Sequence, residues 1–166
     1  MGLKESGLRG SLRNVSVGID AIPDSEVTRP ADDVSFDTSD KYGLVFGVDS
    51  EWPSIGATIS SQTSGATRAE LYQESDASLL GSVDISSLGS DDSFTFDGVD
   101  LQPGDYRIVL DAEGASWTNG NVTEENISFP ISSSDNEITL TDGAFKTTDT
   151  TGRGYAVVTI GNVGFD

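Results

Sequence analysis

The chain contains few residue types that can carry out chemistry. It has no histidine and no cysteine, which excludes Ser-His-Asp and Cys-His nucleophilic sites and leaves only oxygen ligands for a metal ion. Paired carboxylates remain, and such pairs act as acid and base in glycosidases. Asp91-Asp92 and Glu124-Glu125 are candidate pairs, but a chain with 28 acidic residues contains adjacent acids without any function. We therefore expect a protein that is not an enzyme.

Four aspartates lie close together in the sequence on either side of a Phe-Thr-Phe segment: Asp91, Asp92, Asp97 and Asp100. Strand ends could bring some of these carboxylates together, and hard cations such as Ca²⁺ prefer oxygen ligands. The EF-hand spacing is absent, and a solvated acidic loop explains the same residues. A structural Ca²⁺ or another hard cation is the one cofactor that the sequence leaves open.

Two tryptophans lie among polar, turn-forming residues. Trp52 is found in SEWPS and Trp117 in GASWTNGN. An indole ring in a polar loop can serve as a stacking platform for a sugar, and Asn119, Asn121 and Glu124 would then supply hydrogen bonds beside Trp117. The alternative is that each tryptophan caps one end of the hydrophobic core.

The segments that would position these residues are typical of short β-strands. Apolar residues alternate with polar ones, or form short apolar runs, in nine segments. These are Tyr42–Val48, Ile55–Ser60, Arg68–Gln73, Leu79–Ile85, Ser93–Phe96, Asp105–Asp111, Asn126–Ile131, Glu137–Leu140 and Tyr155–Val163. Turn signals such as Pro103-Gly104 and Asp142-Gly143 separate them. The pattern predicts an all-β fold, an antiparallel jelly-roll-like β-sandwich of about eight or nine strands.

Alternation also assigns side chains to the two faces of each strand. Asp105–Asp111 is the clearest case, because three apolar residues fall on one face: Tyr106, Ile108 and Leu110. The opposite face of that strand carries Arg107, Val109 and Asp111. We expect the first set to face the core.

Charge is distributed unevenly along the chain, which has 9 Lys and Arg, 28 Asp and Glu, and a net charge of −19. Residues 1–30 contain four basic and four acidic residues, so residues 31–166 carry all the net charge. Self-repulsion of this size destabilises a compact domain in dilute buffer, whereas molar salt shortens the Debye length to ~3 Å. The large negative charge, the excess of aspartate over glutamate and the scarcity of lysine together favour a domain that works in brine. An ordinary acidic surface protein is the alternative, and nucleic acid is not an expected partner.

The chain divides into an extended docking segment, residues 1–30, and an acidic β-sandwich domain, residues 31–166. The leader has basic and aliphatic residues but neither the continuous apolar region of a signal peptide nor a membrane-spanning run, so membrane insertion is not expected. Its candidate docking residues are Leu8, Arg9, Leu12, Arg13, Val15, Val17 and Ile19. The alternation at the last three predicts a strand that adds to the edge of a partner's sheet. A frayed chain end is the alternative.

The segment GLRGSLRNVSVGIDAIPDS, residues Gly7–Ser25, resembles an N-terminal module of structural proteins from tailed viruses and proviruses of haloarchaea. In that family the module precedes varied β-sandwich domains. The resemblance implies a virion structural protein, either a capsid turret or decoration subunit or a tail fibre or baseplate component. It also implies other virion proteins as partners, a homo-oligomer (trimer or pentamer), assembly in the host cytoplasm and exposure at the virion surface.

Under this hypothesis, the sandwich projects from the particle and contacts glycans of the host S-layer. Two alternatives stay open. One is a cell-surface carbohydrate-binding module of a haloarchaeon, and the other is a purely architectural decoration protein without a ligand.

Overall fold

The computed structural model describes residues 34–59, 63–121, 129–133, 136–150 and 160–164, and within these residues all regular secondary structure is β-strand. The strands are β1 (Val34–Thr38), β2 (Tyr42–Val48), β3 (Trp52–Ile59), β4 (Arg68–Gln73), β5 (Leu79–Asp84), β6 (Ser93–Leu101), β7 (Gly104–Asp111), β8 (Trp117–Asn121), β9 (Ile131–Ser132), β10 (Ile138–Phe145), β11 (Asp149–Thr150) and β12 (Ile160–Gly164). The all-β, sandwich-like prediction is confirmed, with more strands than the eight or nine expected. The jelly-roll arrangement stays a prediction.

The strands form two main sheets and one ribbon, and every described pairing is antiparallel. The large sheet has the order β11-β10-β2-β7-β4-β5, with β9 beside β10. The small sheet has the order β12-β3-β6, and β1 pairs with β8 in a separate ribbon. Strand β7 lies at the centre of the large sheet, where it pairs with β2 along its whole length and with β4 on its other side.

One hydrophobic core joins the two sheets. Phe46 and Ile108 from the large sheet belong to the same buried cluster as Ile55 and Phe96 from the small sheet. The rings of Phe94 and Phe96 meet edge to face with centroids 5.7 Å apart. Each fully buried side chain of this kind contributes about 1.5–3 kcal/mol to the free energy of unfolding. This core holds the strand ends, and therefore the loops, in fixed positions.

The large sheet is also packed on its opposite side, which we call the outer face. A second buried cluster lies there, on the faces of β2, β4, β7 and β10 that point away from the core: Val45, Tyr72, Val109 and Ala144. An antiparallel sheet commonly leaves one face to water. Here the outer face is instead covered by apolar residues and by buried polar groups described below.

A tyrosine corner fixes the connection between β6 and β7. The hydroxyl of Tyr106 donates a hydrogen bond to the carbonyl oxygen of Gln102 at 2.7 Å and accepts one from the Gln102 amide at 2.9 Å. Such a corner, in which a tyrosine near a strand start bonds to the backbone just upstream, is a recurring device of β-sandwiches. It stabilises the sharp turn at Pro103-Gly104, where the sequence predicts one.

Most strand predictions are confirmed within a few residues. Arg68–Gln73 and Tyr42–Val48 match β4 and β2 at both ends, and the face assignment in β7 is confirmed because Tyr106, Ile108 and Leu110 all lie in the core. The turn expected at Asp142-Gly143 is wrong: both residues lie within β10, next to a register shift between Leu140 and Asp142. Half of Asn126–Ile131, most of Tyr155–Val163 and the boundary at residue 30 lie outside the described residues.

Candidate functional site

The seven predicted docking residues and Glu124 lie outside the described residues, and their roles stay predictions. The seven are Leu8, Arg9, Leu12, Arg13, Val15, Val17 and Ile19.

Trp117 is part of the core and does not offer a stacking face. It is the first residue of β8 and is only 2% exposed, and its indole N–H donates a hydrogen bond to the carbonyl oxygen of Asp40 at 3.0 Å. Asn119, two residues along the same strand, is also buried. The expectation of a sugar platform on a polar loop is wrong for Trp117, because β8 pairs with β1 and turns the indole inward. Its alternative, a tryptophan that caps the core, describes what is found.

Trp52 occupies a different position, at the start of β3. It is half-buried, packs against the core, and its indole N–H donates to Oε2 of Glu137 at 3.4 Å. The hydroxyl of Ser50 donates to the same carboxylate oxygen. An aromatic ring beside a carboxylate and a hydroxyl retains the chemistry needed to contact a sugar.

The structure does not bring the two tryptophans together. Trp52 bonds to Glu137, which lies near the end of β2 because the next residue, Ile138, pairs with Val48. Trp117 bonds to Asp40, which lies just before the start of β2. The seven residues of β2 span about 20 Å. Trp52 and Trp117 therefore lie at opposite ends of the sandwich and cannot form one sugar site.

The four aspartates of the predicted metal site are spread along strand β6 and the turn that precedes it. Asp91 and Asp92 lie in the turn before β6, where Asp92 Oδ2 accepts a hydrogen bond from the Gly89 amide at 2.8 Å. Asp97 and Asp100 lie within β6. Five residues of extended chain separate Asp92 from Asp97 by about 16 Å. In the part of the chain that the structure describes, no three acidic residues are grouped closely enough to hold a metal ion.

The described surface is strongly acidic. Of the eighteen described Asp and Glu residues thirteen are exposed, whereas of the four described Lys and Arg residues only Lys146 is. Each of the other three cations forms an ion pair: Lys41 with Glu70, Arg68 with Glu113, and Arg107 with Glu74. The solvent therefore meets an almost uniformly anionic surface.

Arg107 is buried at the centre of the outer face and is 0% exposed. Its Nε and Nη2 donate to the two carboxylate oxygens of Glu74 at 2.9 and 2.7 Å. Its Nη1 donates to the carbonyl oxygens of Phe145 at 3.3 Å, of Lys146 at 3.4 Å, and of Asp149. The guanidinium thus fastens the β10–β11 hairpin to the sheet. The alternation in β7 places Arg107 on the outer face, but only the neighbouring hairpin makes that position buried.

A second polar group lies beside it on the outer face. The Lys41 ammonium donates to Oε1 of Glu70 and, at 3.3 Å, to the hydroxyl of Tyr72, which itself donates to Glu70 at 2.9 Å. Burial opposes the charged ammonium, but the hydrogen bonds to Glu70 and Tyr72 outweigh it and raise the pKa of Lys41. Burial and the bond to Glu70 raise the pKa of Tyr72 above its ordinary value. Both groups therefore stay protonated at neutral pH.

Two open clefts lie side by side at the end of the sandwich where β2 and β4 begin. The first, which we call the lysine cleft, has a volume of about 360 Å³. It is lined by Ser39, Asp40, Lys41, Asp111, Glu113, Gly114, Lys146 and Thr147. The second, the arginine cleft, has a volume of about 390 Å³ and is lined by Thr67, Arg68, Ser82, Asp84, Ser86 and Glu113. Glu113 lines both, so the two clefts together form one paired cleft.

The paired cleft is the functional candidate that sequence reasoning missed. Its charged residues lie at positions 40, 41, 68, 84, 111, 113 and 146, and only the order of the strands brings them together. The one sequence signal is the scarcity of Lys and Arg, since three of the four described cations line these two clefts.

The described residues define an all-β, antiparallel, sandwich-like protein with an acidic surface and a polar paired cleft. They include no helix with the length and apolarity that a membrane crossing needs. Comparisons with protein-family models, with curated protein sequences and with solved structures found no match to this chain.

Proposed function

We propose that this chain is a structural, non-enzymatic protein of a particle that works in concentrated salt, specifically a virion protein of a haloarchaeal tailed virus. Its leader anchors it among other virion proteins, and its acidic body projects from the surface. The observation that carries the proposal is the described surface, with thirteen exposed acids and one exposed cation. Such a surface repels itself in dilute buffer and is screened at molar salt, where the Debye length is ~3 Å.

The interior of the body supports a projecting, load-carrying role. One core joins both sheets, the tyrosine corner fixes one end, and Arg107 fastens the β10–β11 hairpin to the outer face. Particle proteins are commonly symmetric homo-oligomers, and we propose a trimer or pentamer. In such an assembly, many weak contacts with host glycans add up through avidity.

The test is to express the full chain in a haloarchaeal host that produces tailed particles and to locate it by cryo-electron microscopy of purified particles. The variants change one face of the predicted leader strand at a time. Val15→Ser/Val17→Ser/Ile19→Ser should abolish incorporation into particles, whereas Ser16→Ala, on the opposite face, should not. Absence of the unaltered chain from particles would contradict the proposal. Equal incorporation of the serine variant would contradict the predicted docking strand alone.

A second candidate function is a cell-surface carbohydrate-binding module. It is favoured by the group formed by Trp52, Glu137 and Ser50, where an indole, a carboxylate and a hydroxyl meet. Sugar binding that is lost in Trp52→Ala, in a protein absent from particles, would support this candidate. Incorporation into particles without any sugar binding would support a purely architectural decoration protein.

A further inference from the structure

Two long strands form neighbouring edges on one side of the sandwich. Among the described strands, β5 ends the large sheet and has six residues, and β6 ends the small sheet and has nine. A Cβ on Gly81 of β5 would lie 3.4 Å from the side chain of Val99 in β6, so the two edges meet across the core. At the opposite end of the large sheet, β11 has only two residues. Because edge strands are normally short, charged or covered, the edge of β5 is a candidate docking surface.

The backbone of β5 has hydrogen-bonding groups to offer at this edge. The Ile85 amide donates to the carbonyl oxygen of Thr67 at 2.9 Å, which marks a hydrogen-bonded position of the ladder between β4 and β5. Hydrogen-bonded and non-hydrogen-bonded pairs alternate along an antiparallel ladder, so the N–H and C=O groups of Ser82 and Asp84 point away from β4. No strand among the described residues pairs with that side of β5. These backbone groups can therefore bond to an added strand.

The side chains along the edge are apolar toward the core and polar on the outer face. Leu80 and Val83 of β5 and Val99 of β6 pack against the core but are only partly buried. Ser82, on the opposite face of β5, is exposed. Leu79, at the start of β5, is 53% exposed and is the one large apolar residue that is exposed among those described. The edge therefore suits a strand that has one apolar face and one polar face.

We propose that the edge of β5 binds the predicted leader strand, residues 15–19, of a second copy of this chain. Antiparallel addition continues the pairing of the large sheet, and main-chain hydrogen bonds would hold the added strand. One register matches the apolar leader residues to the core side of β5 and the polar one to its outer side: Val15 opposite Val83, Val17 opposite Gly81, and Ser16 opposite Ser82. Ile19 then lies at the start of β5, beside the exposed Leu79.

Charge favours the leader as the occupant of this edge. Asp84 at the end of β5, and Asp97 and Asp100 of β6, are exposed. Residues 6–19 contain two arginines, Arg9 and Arg13, and no acidic residue. Opposite charges at an interface favour the matching partner and disfavour like-charged ones. The acidic edge therefore attracts the leader, whereas it repels the acidic body of another copy.

The leader is long enough to reach a neighbouring copy. Residues 20–33 connect the predicted strand to Val34 and span up to about 46 Å when extended. The longest row of the large sheet has six strands, which at a spacing of about 4.8 Å makes it about 24 Å wide. A contact between a leader and an edge joins two different surfaces, and head-to-tail contacts of this kind close into rings. The inference rests on the proposed function, because it names the contact that holds the proposed trimer or pentamer together.

The first experiment is cross-linking between copies, which is unambiguous because the chain has no cysteine of its own. Full-length Ser16→Cys protein is co-expressed with full-length Ser82→Cys protein, and the mixture is treated with a short bismaleimide in molar KCl. We expect a cross-linked heterodimer, because the two positions lie opposite each other in the proposed pairing. The control partner carries Thr150→Cys, which is exposed on β11 at the other edge of the large sheet. Its cross-linking yield should be at least about tenfold lower, because its thiol is not held near the leader.

The second experiment blocks the edge itself. The Ser82 N–H points away from β4, so Ser82→Pro removes a donor to the added strand without removing a bond of the sheet, and proline is tolerated at such positions. Ser82→Ala is the matched control. By analytical ultracentrifugation in molar KCl, we expect the dissociation constant of the oligomer to rise at least about tenfold in Ser82→Pro and to stay unchanged in Ser82→Ala. Val15→Ser/Val17→Ser/Ile19→Ser should also raise it, with the body unaltered.

Four results would overturn the inference. These are a monomeric unaltered chain in molar KCl, equal cross-linking to the Ser82→Cys and Thr150→Cys partners, equal association of Ser82→Pro and Ser82→Ala, and undiminished association of the leader variant, which would indicate pairing between bodies instead. Thermal melting shows whether each variant is folded, and if Ser82→Pro does not fold, the leader variant and the cross-linking decide. Incorporation into particles is measured separately. A monomeric chain that enters particles contradicts this inference alone, whereas an oligomer that is absent from particles contradicts the virion role alone.

Discussion

Replacing Arg107 with methionine should destabilise the protein by about 3 kcal/mol. Methionine keeps much of the side-chain volume but removes the donors to Glu74 and to three carbonyl oxygens of the β10–β11 hairpin. Breaking a buried ion pair on one side costs about 3–5 kcal/mol. We take the lower end because the Glu74 side chain is 26% exposed, so water can reach its carboxylate in the variant.

The assay is denaturant and thermal unfolding in molar salt, followed by circular dichroism. For a chain of 166 residues, about 2–4 °C of Tm is lost per kcal/mol, so Tm should fall by roughly 6–12 °C. The matched control is Arg68→Met, which removes an ion pair whose side chains are 40% and 52% exposed and should cost at most about 1 kcal/mol. Amide exchange should also speed up at residues 145–150, where the hairpin loses its anchor.

One result would refute this reasoning: a loss of stability in Arg107→Met no larger than that in Arg68→Met. The buried guanidinium of Arg107 would then contribute no more to the free energy of unfolding than the partly exposed guanidinium of Arg68 does. A double-mutant cycle with Glu74→Gln separates the ion pair from the carbonyl contacts. If the two substitutions are additive, the hairpin contacts and not Glu74 account for the effect.

Three further predictions concern packing, salt and pH. Gly43→Ala should prevent the native pairing of β2 with β7, because a Cβ would overlap the carbonyl oxygen of Ile108. Gly89→Ala should be tolerated, because the nearest atom to a Cβ there is Oδ2 of Asp92 at 3.9 Å, an ordinary contact; similar yields of the two folded variants would contradict this. Lowering salt from molar to ~0.1 M lengthens the Debye length to ~10 Å and should lower Tm; an unchanged Tm would refute the assignment to brine. Raising the pH above about 10 should lower the free energy of unfolding, because Lys41 and Tyr72 have raised pKa values and the unfolded chain loses those protons first. In Tyr72→Phe, the free energy of unfolding should fall less steeply with pH above about 10. If it falls as steeply as in the unaltered protein, Tyr72 is not a cause.

Local patterns were enough to predict several strands. β2 and β4 were predicted at both ends because each is a short apolar or alternating run between turn-forming residues. β8 was missed because WTNGN is polar and contains Asn-Gly, which is typical of turns. Its strand conformation depends on pairing with β1, where Gly120 lies opposite Ser35.

Composition and period-two patterning are local properties, and they were enough to predict the class of fold, the faces of the clearest strands and the acidic character of the body. What surrounds each face depends on contacts between residues distant in the sequence. Alternation places Arg107 on the outer face, but the β10–β11 hairpin buries it; the sequence around Trp117 suggests a loop, but pairing with β1 turns its ring into the core. The paired cleft likewise exists only because strands distant in sequence become neighbours in the sheet, and no local pattern encodes that order.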